Sequence, residues 1–387
     1  MSRYTHLPAR GVRLFVALYP NDEGTARVVK GINDERLFPV TLPHDGPTTK
    51  ADALNALWRA MRAEERQSGE RITGIVLHDA EDVTHPAEIP LFAHMAPRKA
   101  MVQLPVVPLR DAVSRWVSGH YIDEFAEQHG KTLVVREALG LPLPSAGVAT
   151  FFRRAELSRI ADARGGGPFA EHALTEDYDL GLAMSRLGGG ALVRLPEVKG
   201  QRVVATREHF PATLEAALRQ KTRWLTGIVF QGWQGLGWRT TAGAPAWRRL
   251  AELWFLARDR SPLLNALFIS AGYLAALVAG VCAIAAMTVP DAAALPPLIE
   301  AGSSLALLLW ITVGLLVWRL VVRAWFTGRL YGILEAVLSV PRSIVANVIA
   351  VLAARRAFMR YAAAMLGGAP LAWDKTAHKY PAPERER

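Results

Sequence analysis

Cysteine is nearly absent from this chain. A single one, Cys282, stands among 387 residues. No intrachain disulfide can form, which fits a reducing, cytoplasmic setting for the polar part of the molecule. The first ten residues are polar and lack an apolar core, so they do not read as a signal peptide. Charge is missing altogether from 261–290 and again from 301–318. Lys and Arg are also missing from 289–304, which holds only Asp291 and Glu300.

These absences locate a membrane region. An uncharged apolar run longer than about 20 residues is long enough to cross a bilayer, so transmembrane helices are expected at about 263–288 and 302–322. Arg248, Arg249, Arg258 and Arg260 flank the first, and Arg319, Arg323 and Arg329 close the second. By the positive-inside rule the connecting loop lies outside. Both flanks, and the large domain before Pro262, then lie in the cytoplasm. A third apolar stretch carries Glu335, Arg342 and Asn347, with Pro341 near its middle. Charge at mid-membrane is costly, so an interfacial helix is expected at about 333–358, with a third span as the alternative. The expected division is a cytoplasmic domain over 11–240, a membrane region over 241–372 and a cytoplasmic tail over 373–387. The formal net charge of +10 fits the basic bias of membrane proteins. With no recognition motif and no clustered arginine stripe, nucleic acid is not an expected partner.

Half of the residues (51%) are hydrophobic, but the excess lies after Pro262. Before it, strand-like runs at 12–19, 38–42, 71–78 and 99–106 alternate with helical patterns at 25–34 and 49–65. This is the rhythm of an α/β domain with a mostly parallel sheet, in which ligands bind at the carboxyl ends of strands.

His78-Asp79-Ala80-Glu81-Asp82 follows such a strand. It reads either as a polar loop or as a source of hard oxygens. Asp79 and Glu81 could share one Mg²⁺ or Mn²⁺ with diphosphate oxygens and water, with Asp82 as either a third ligand or an acceptor-side contact. Thr48-Thr49-Lys50-Ala51-Asp52 opens a helix, with Thr48 or Thr49 as cap, and helix N-termini favour anions. Thr175-Glu176-Asp177 opens another. Acids in a first turn are routine, and the functional alternative makes Asp177 a general base toward a hydroxyl. Gln220, Arg223 and Trp224 share one helix face by their spacing. They read as a packing tryptophan with a snorkelling arginine, or as a diphosphate clamp beside a sugar-stacking ring. The glycine triplets at 165–167 and 188–190 read as turns.

The order strand–Asp-x-Glu, Thr-Glu-Asp, Gln-x-x-Arg-Trp and then apolar helices resembles the family-2 membrane glycosyltransferases. More narrowly, the chain resembles the bacteriophage adsorption protein B family of inner-membrane glycosyltransferases. That likeness runs through Tyr19-Pro20-Asn21-Asp22, Pro47-Thr48-Thr49-Lys50-Ala51-Asp52, Tyr121-Ile122-Asp123-Glu124-Phe125, Pro144-Ser145-Ala146-Gly147-Val148 and Trp373-Asp374-Lys375. It implies a GT-A type nucleotide-sugar domain and inverting transfer, for a surface or exported polysaccharide. Asp22, Lys50 and Asp52 would lie near the nucleotide. Asp79, Glu81 and Asp82 would serve the metal, with Glu176 and the base Asp177 nearby. Gln220, Arg223 and Trp224 would sit over the diphosphate and acceptor, and Gly147 near the acceptor. The implied partners are a nucleotide-sugar donor, UDP-linked by expectation, a glycan or lipid-linked acceptor, membrane lipids and an outer-membrane export partner. The alternative is a degenerate transferase fold serving as a non-catalytic scaffold in phage-receptor assembly. Members of the class begin with a membrane helix and a first strand ending near a Glu, whereas here 12–19 reads as the second strand. The expectation is therefore a reading frame that extends upstream, and weak nucleotide binding without it.

Overall fold

In a computed structural model the described residues are 11–171, 173–196, 203–288, 300 and 302–367. The first ten residues, nearly all of the 289–304 loop and the 373–387 tail lie outside them.

Strand β1 (Leu14–Leu18) pairs in parallel with β2 (Leu37–Thr41) across helix α1 (Glu23–Lys30). Helix α2 (Lys50–Ser68) starts where Thr49 accepts a hydrogen bond from the Asp52 amide and stops at left-handed Gly69. Four further strands form the central sheet: β3 (Gly74–Leu77), β4 (Met101–Gln103), β6 (Thr150–Arg153) and β7 (Gly190–Leu192), in the order β3-β6-β4-β7. The α/β class is as expected, but this sheet is mixed. β6 runs antiparallel to both neighbours, and β4 is parallel to β7.

The run at 99–106, expected as one strand, divides into β4 and β5 (Val106–Pro108), and β5 pairs with β8 (Thr206–Glu208). Pro105 lies at the break; it has no N–H for a ladder, and its carbonyl accepts from Thr206 N at 3.1 Å. The core beneath the central sheet gathers Met101, Phe152, Leu157, Leu180 and Met184 with Trp58 of α2.

Helices α3 (Glu88–Met95), α4 (Val117–Glu127), α5 (Leu133–Ala138), α6 (Arg154–Ala163), α7 (Glu176–Gly188) and α8 (Leu214–Leu225) complete the domain. α8 runs on as a π-helical segment, Thr226–Gln231, into the short α9 (Gly232–Leu236). Helix α10 (Ala246–Arg260) then leads to α11 (Pro262–Thr288), α12 (Ser304–Tyr331) and α13 (Ile333–Met365).

All three last helices are long and apolar enough to cross a membrane, with window hydropathies of 2.2, 2.3 and 1.9. They differ in burial. No residue in the α11 or α12 window is buried, against 28% in that of α13. α12 continues well beyond the expected end near 322, because its last turns leave the apolar zone and pack on α4. There Arg323 lies 3.6 Å from Glu127, and Thr327 donates to buried Asp123.

α13 is two-faced. Glu335, Ser339, Arg342, Ile349 and Ala353 are buried, whereas Ile333, Val337, Val340, Ile344 and Val348 are exposed. Arg342, only 1% exposed, donates to Asp123 at 2.8 Å and to Glu335 at 2.6 Å. The charges that make this segment costly in hydrocarbon thus sit inside protein, against α4. Gly119 of α4 permits the approach, since a Cβ there would lie 2.7 Å from Arg342 Nη1.

Candidate active site

Lys50 is the first residue of α2, so its position follows from the Thr49 cap. Its ammonium lies 2.5 Å from Asp79 Oδ1 and donates to the Gly147 carbonyl at 3.3 Å. Burial works against that charge, but Asp79, Glu176 and Asp177 outweigh it and hold Lys50 above its ordinary range. Three motifs that are far apart in sequence therefore meet at one ammonium.

Gly147 has φ +78°, and a Cβ there would lie 2.5 Å from Asp177 Oδ2. Any side chain would be strained and would also displace the carboxylate. The loop around Gly147 is held by buried Gln103, at the end of β4. Its Oε1 accepts from Ala146 N (2.8 Å) and Thr150 Oγ1 (2.7 Å), and its Nε2 donates to the Val148 carbonyl (2.9 Å). Ser145 Oγ accepts from Gly147 N at 3.0 Å.

Glu176 and Asp177 occupy the first turn of α7. Thr175 precedes them in the cap position, but its side chain makes no capping bond. It packs instead against Gly227 of the π segment, where a Cβ would come within 2.4 Å of its Oγ1. Burial, then the charge of Asp177, pushes Glu176 up to about 7 against the pull of Lys50. Burial also raises Asp177, opposed chiefly by Lys50 and in part by Arg223. Tyr178 N donates to Asp177 at 2.8 Å, and the Tyr178 hydroxyl donates to Asp259 of α10 at 2.7 Å.

On α8, Arg223 Nη1 donates to the Leu174 carbonyl at 3.3 Å, just ahead of this pair. Gln220 is buried, and its Oε1 has no hydrogen-bond partner among the described residues. Trp224 lies partly buried in an aromatic cluster with Tyr121 and Phe125, with Lys221 Nζ 5.1 Å from its ring centre.

The acid loop after β3 has two parts. Asp82 is buried, and its Oδ2 accepts from the Asp79 amide (3.0 Å) and from His78 Nδ1 (2.8 Å). His78 also donates Nε2–H to Glu88 at 2.5 Å. Burial alone would lower the imidazole, but these two carboxylates raise it to about 10. Glu208 joins the loop because the Val83–Arg207 bridge sets the end of β8 beside it. Burial first, then Asp82, Asp79 and Glu81, pushes its carboxyl well above the usual range.

Among the described residues no three His, Cys, Asp or Glu side chains already form a metal cage. A cation shared with a diphosphate needs only one or two carboxylates. Among the described residues Asp82 Oδ1 is buried without a hydrogen-bond partner, and Glu208 lies in the field of Asp82, Asp79 and Glu81. This surplus of hard oxygen fits Mg²⁺ or Mn²⁺.

Asp22 and Asp52 stand at the flank. Asp22 caps α1, accepting from Thr25 N at 3.0 Å, and Asp52 pairs with His44 at 2.9 Å. Their segments are nonetheless joined, by two Asn21–Gly46 hydrogen bonds and by the Tyr19–Thr48 hydroxyl contact at 2.9 Å. The structure thus brings together Lys50, Asp79, Gly147, Glu176 and Asp177, with Arg223 beside them. It leaves Asp22 and Asp52 at the edge and Trp224 behind. Sequence reasoning missed Gln103, His78 and Glu208. A lone amide inside the apolar run Met101-Val102-Gln103-Leu104 was a readable signal for the first; Glu208 carried none.

A mixed α/β domain with an acid loop at a strand end, an acid pair opposite a lysine and three long apolar helices defines the class. The chain belongs to glycosyl transferase family group 2, whose profile matches residues 74–351. It is similar to the bacteriophage adsorption protein B of Escherichia coli K12 and to the bacteriophage N4 adsorption protein B of Escherichia coli O157:H7. Each is 36% identical over 399 residues, covering 97% of this chain. The chain spans about half (52%) of the length of these relatives.

Proposed function

We propose that this chain is a membrane-bound inverting glycosyltransferase. It moves a hexosyl or N-acetylhexosaminyl unit from a nucleoside-diphosphate sugar, UDP-linked by expectation, to a glycan or lipid-linked acceptor at the bacterial inner membrane. The product serves a surface or exported polysaccharide, with an outer-membrane export partner. The observation that carries the reading is the convergence of buried Glu176 and half-buried Asp177 on Lys50, with Gly147 and Arg223 beside them.

The acceptor oxygen attacks the anomeric carbon opposite the diphosphate. An O–C bond forms as the anomeric bond to the diphosphate breaks, and the electron pair leaves on the diphosphate. The hydroxyl proton passes to Asp177, which burial has made a stronger base than a free carboxylate. Lys50 and Arg223 balance the charge on the leaving group. The open Oε1 of Gln220 can accept a sugar hydroxyl, while Trp224 braces α8 through its aromatic cluster. Asp22 and Asp52 lie on the nucleotide side. A Mg²⁺ or Mn²⁺ held by Asp79, Glu81 and the open oxygen of Asp82 would neutralise the departing diphosphate.

A second reading, a scaffold with a degenerate transferase fold, is favoured by the phage-adsorption names of the relatives. One experiment separates the two. With Mn²⁺ and UDP-sugars, the wild-type chain should transfer or hydrolyse sugar. Asp177→Asn should lose ~10²–10⁴-fold in rate while UDP binding by calorimetry stays within a few-fold, and Asp79→Ala should lose the metal-dependent part of that binding. Transfer by Asp177→Asn at a tenth of the wild-type rate removes Asp177 as base. Metal-dependent UDP binding without transfer or hydrolysis in the wild type favours the scaffold.

A further inference from the structure

α10 immediately precedes α11, with only Ser261 between them. It has one buried face, carrying Glu252, Phe255, Leu256 and Arg260. Its other face is apolar and open. Trp247, Leu250 and Trp254, spaced i, i+3 and i+7 on one stripe, are 58%, 67% and 70% exposed. Trp233 and Trp238, in the turn before it, are exposed as well and meet edge-on at 5.1 Å.

The charges of α10 are sorted. Both acids turn inward: Glu252 accepts from Thr241 N at 2.8 Å, and Asp259 accepts from Arg136 at 2.8 Å and from the Tyr178 hydroxyl at 2.7 Å. The exposed charges are arginines. Arg258 follows Trp254 by one turn and donates from Nη2 to Thr132 at 3.1 Å, and Arg249 is exposed near the start of the helix.

A stripe of tryptophan and leucine with arginine beside it suits the boundary between lipid headgroups and acyl chains. The stripe also runs directly into α11, whose apolar window has no buried residue. From these observations we infer that the Trp247–Leu250–Trp254 face of α10 is a lipid-docking surface, seated in the headgroup layer. The surface does not depend on the catalytic assignment. Its inner face, however, holds Tyr178, the residue after Asp177, so docking fixes the height of the site above the bilayer.

The test uses the full chain, carrying Cys282→Ser, in phosphatidylcholine–phosphatidylglycerol nanodiscs. A nitroxide is attached at Leu250→Cys and, as a water-exposed reference, at Glu70→Cys. The ratio of collisions with oxygen to collisions with a water-soluble nickel chelate should be at least about fivefold higher at 250 than at 70. Trp247→Ser with Trp254→Ser, both at exposed positions, should bring the ratio at 250 toward that at 70. Equal ratios in the parent protein overturn the proposal. So does an unchanged ratio in the double variant, and so does spin–spin broadening that pairs position 250 with a second copy of the chain.

Discussion

Glu176 is buried and its neighbour Asp177 half-buried, and their charges compete for Lys50. Raising Glu176 from 4.5 to about 7 has a defined consequence for stability. The protonated form is favoured by folding, so its contribution is complete below pH 4.5 and is lost as pH rises through about 7. Glu176→Gln keeps the neutral form at every pH. Its thermal stability relative to wild type should therefore change little at pH 4.5 and rise by on the order of 1–3 kcal/mol at pH 8. A gain that is the same at both pH values would mean that Glu176 is not held up by its surroundings. Asp177 itself was legible, because Thr-Glu-Asp before an amphipathic helix marks a first turn. That its neighbour would be the strained partner was not legible, because Lys50 and Gly147 reach it only through the fold.

At the scale of elements, α13 is held to α4 by Arg342, Asp123 and Glu335. Burial pushes Asp123 up to about 6, although Arg342 and Arg323 oppose the shift. Arg342→Ala takes from two buried carboxylates their nearest counter-charge, leaving only Arg323 and Arg115 at longer range, and breaking a buried pair typically costs about 3–5 kcal/mol. Unfolding in detergent should show a loss of that size, and Asp123→Asn added to Arg342→Ala should recover part of it. No recovery would place the cost in lost packing instead. Sequence reading located α2 and its cap, α7, α11 and the start of α13 closely, because local signals govern caps and apolar runs. It ended α12 early, since Arg323 reads as a membrane boundary unless Glu127 is known to face it. It also fused β4 and β5, because the consequence of Pro105 depends on which strands lie alongside.

For the whole molecule, we propose from the Lys and Arg distribution that the acidic 289–304 loop lies outside and the domain before Pro262 inside. In a Cys282→Ser background, a cysteine at Ala293 should react with an impermeant thiol reagent in cells with a permeabilised outer membrane. One at exposed Glu70 should not, and the reverse pattern would invert the orientation. The α/β class and the membrane region were readable because composition changes abruptly at Pro262. The mixed strand order was not, because β6 enters the sheet from a loop organised by Gln103, Ser145 and Thr150, residues far apart in role until the fold joins them.

α11 follows α10 after a single residue, and this has a mechanical consequence. A helix of 27 residues is about 40 Å long, against a hydrocarbon layer of about 30 Å. In a bilayer that α11 crosses, the excess is taken up by leaning, kinking or local thickening, and a lean changes with bilayer thickness. Any such rotation is delivered at Ser261 to the helix whose Asp259 grips Tyr178. Sugar transfer should therefore respond to acyl-chain length at constant headgroup composition, with a maximum at one thickness rather than a steady trend. Measured across nanodiscs of increasing chain length, the Asp259→Asn protein should give a flatter curve. The bilayer would then act as a tuning element for the enzyme as well as its anchor.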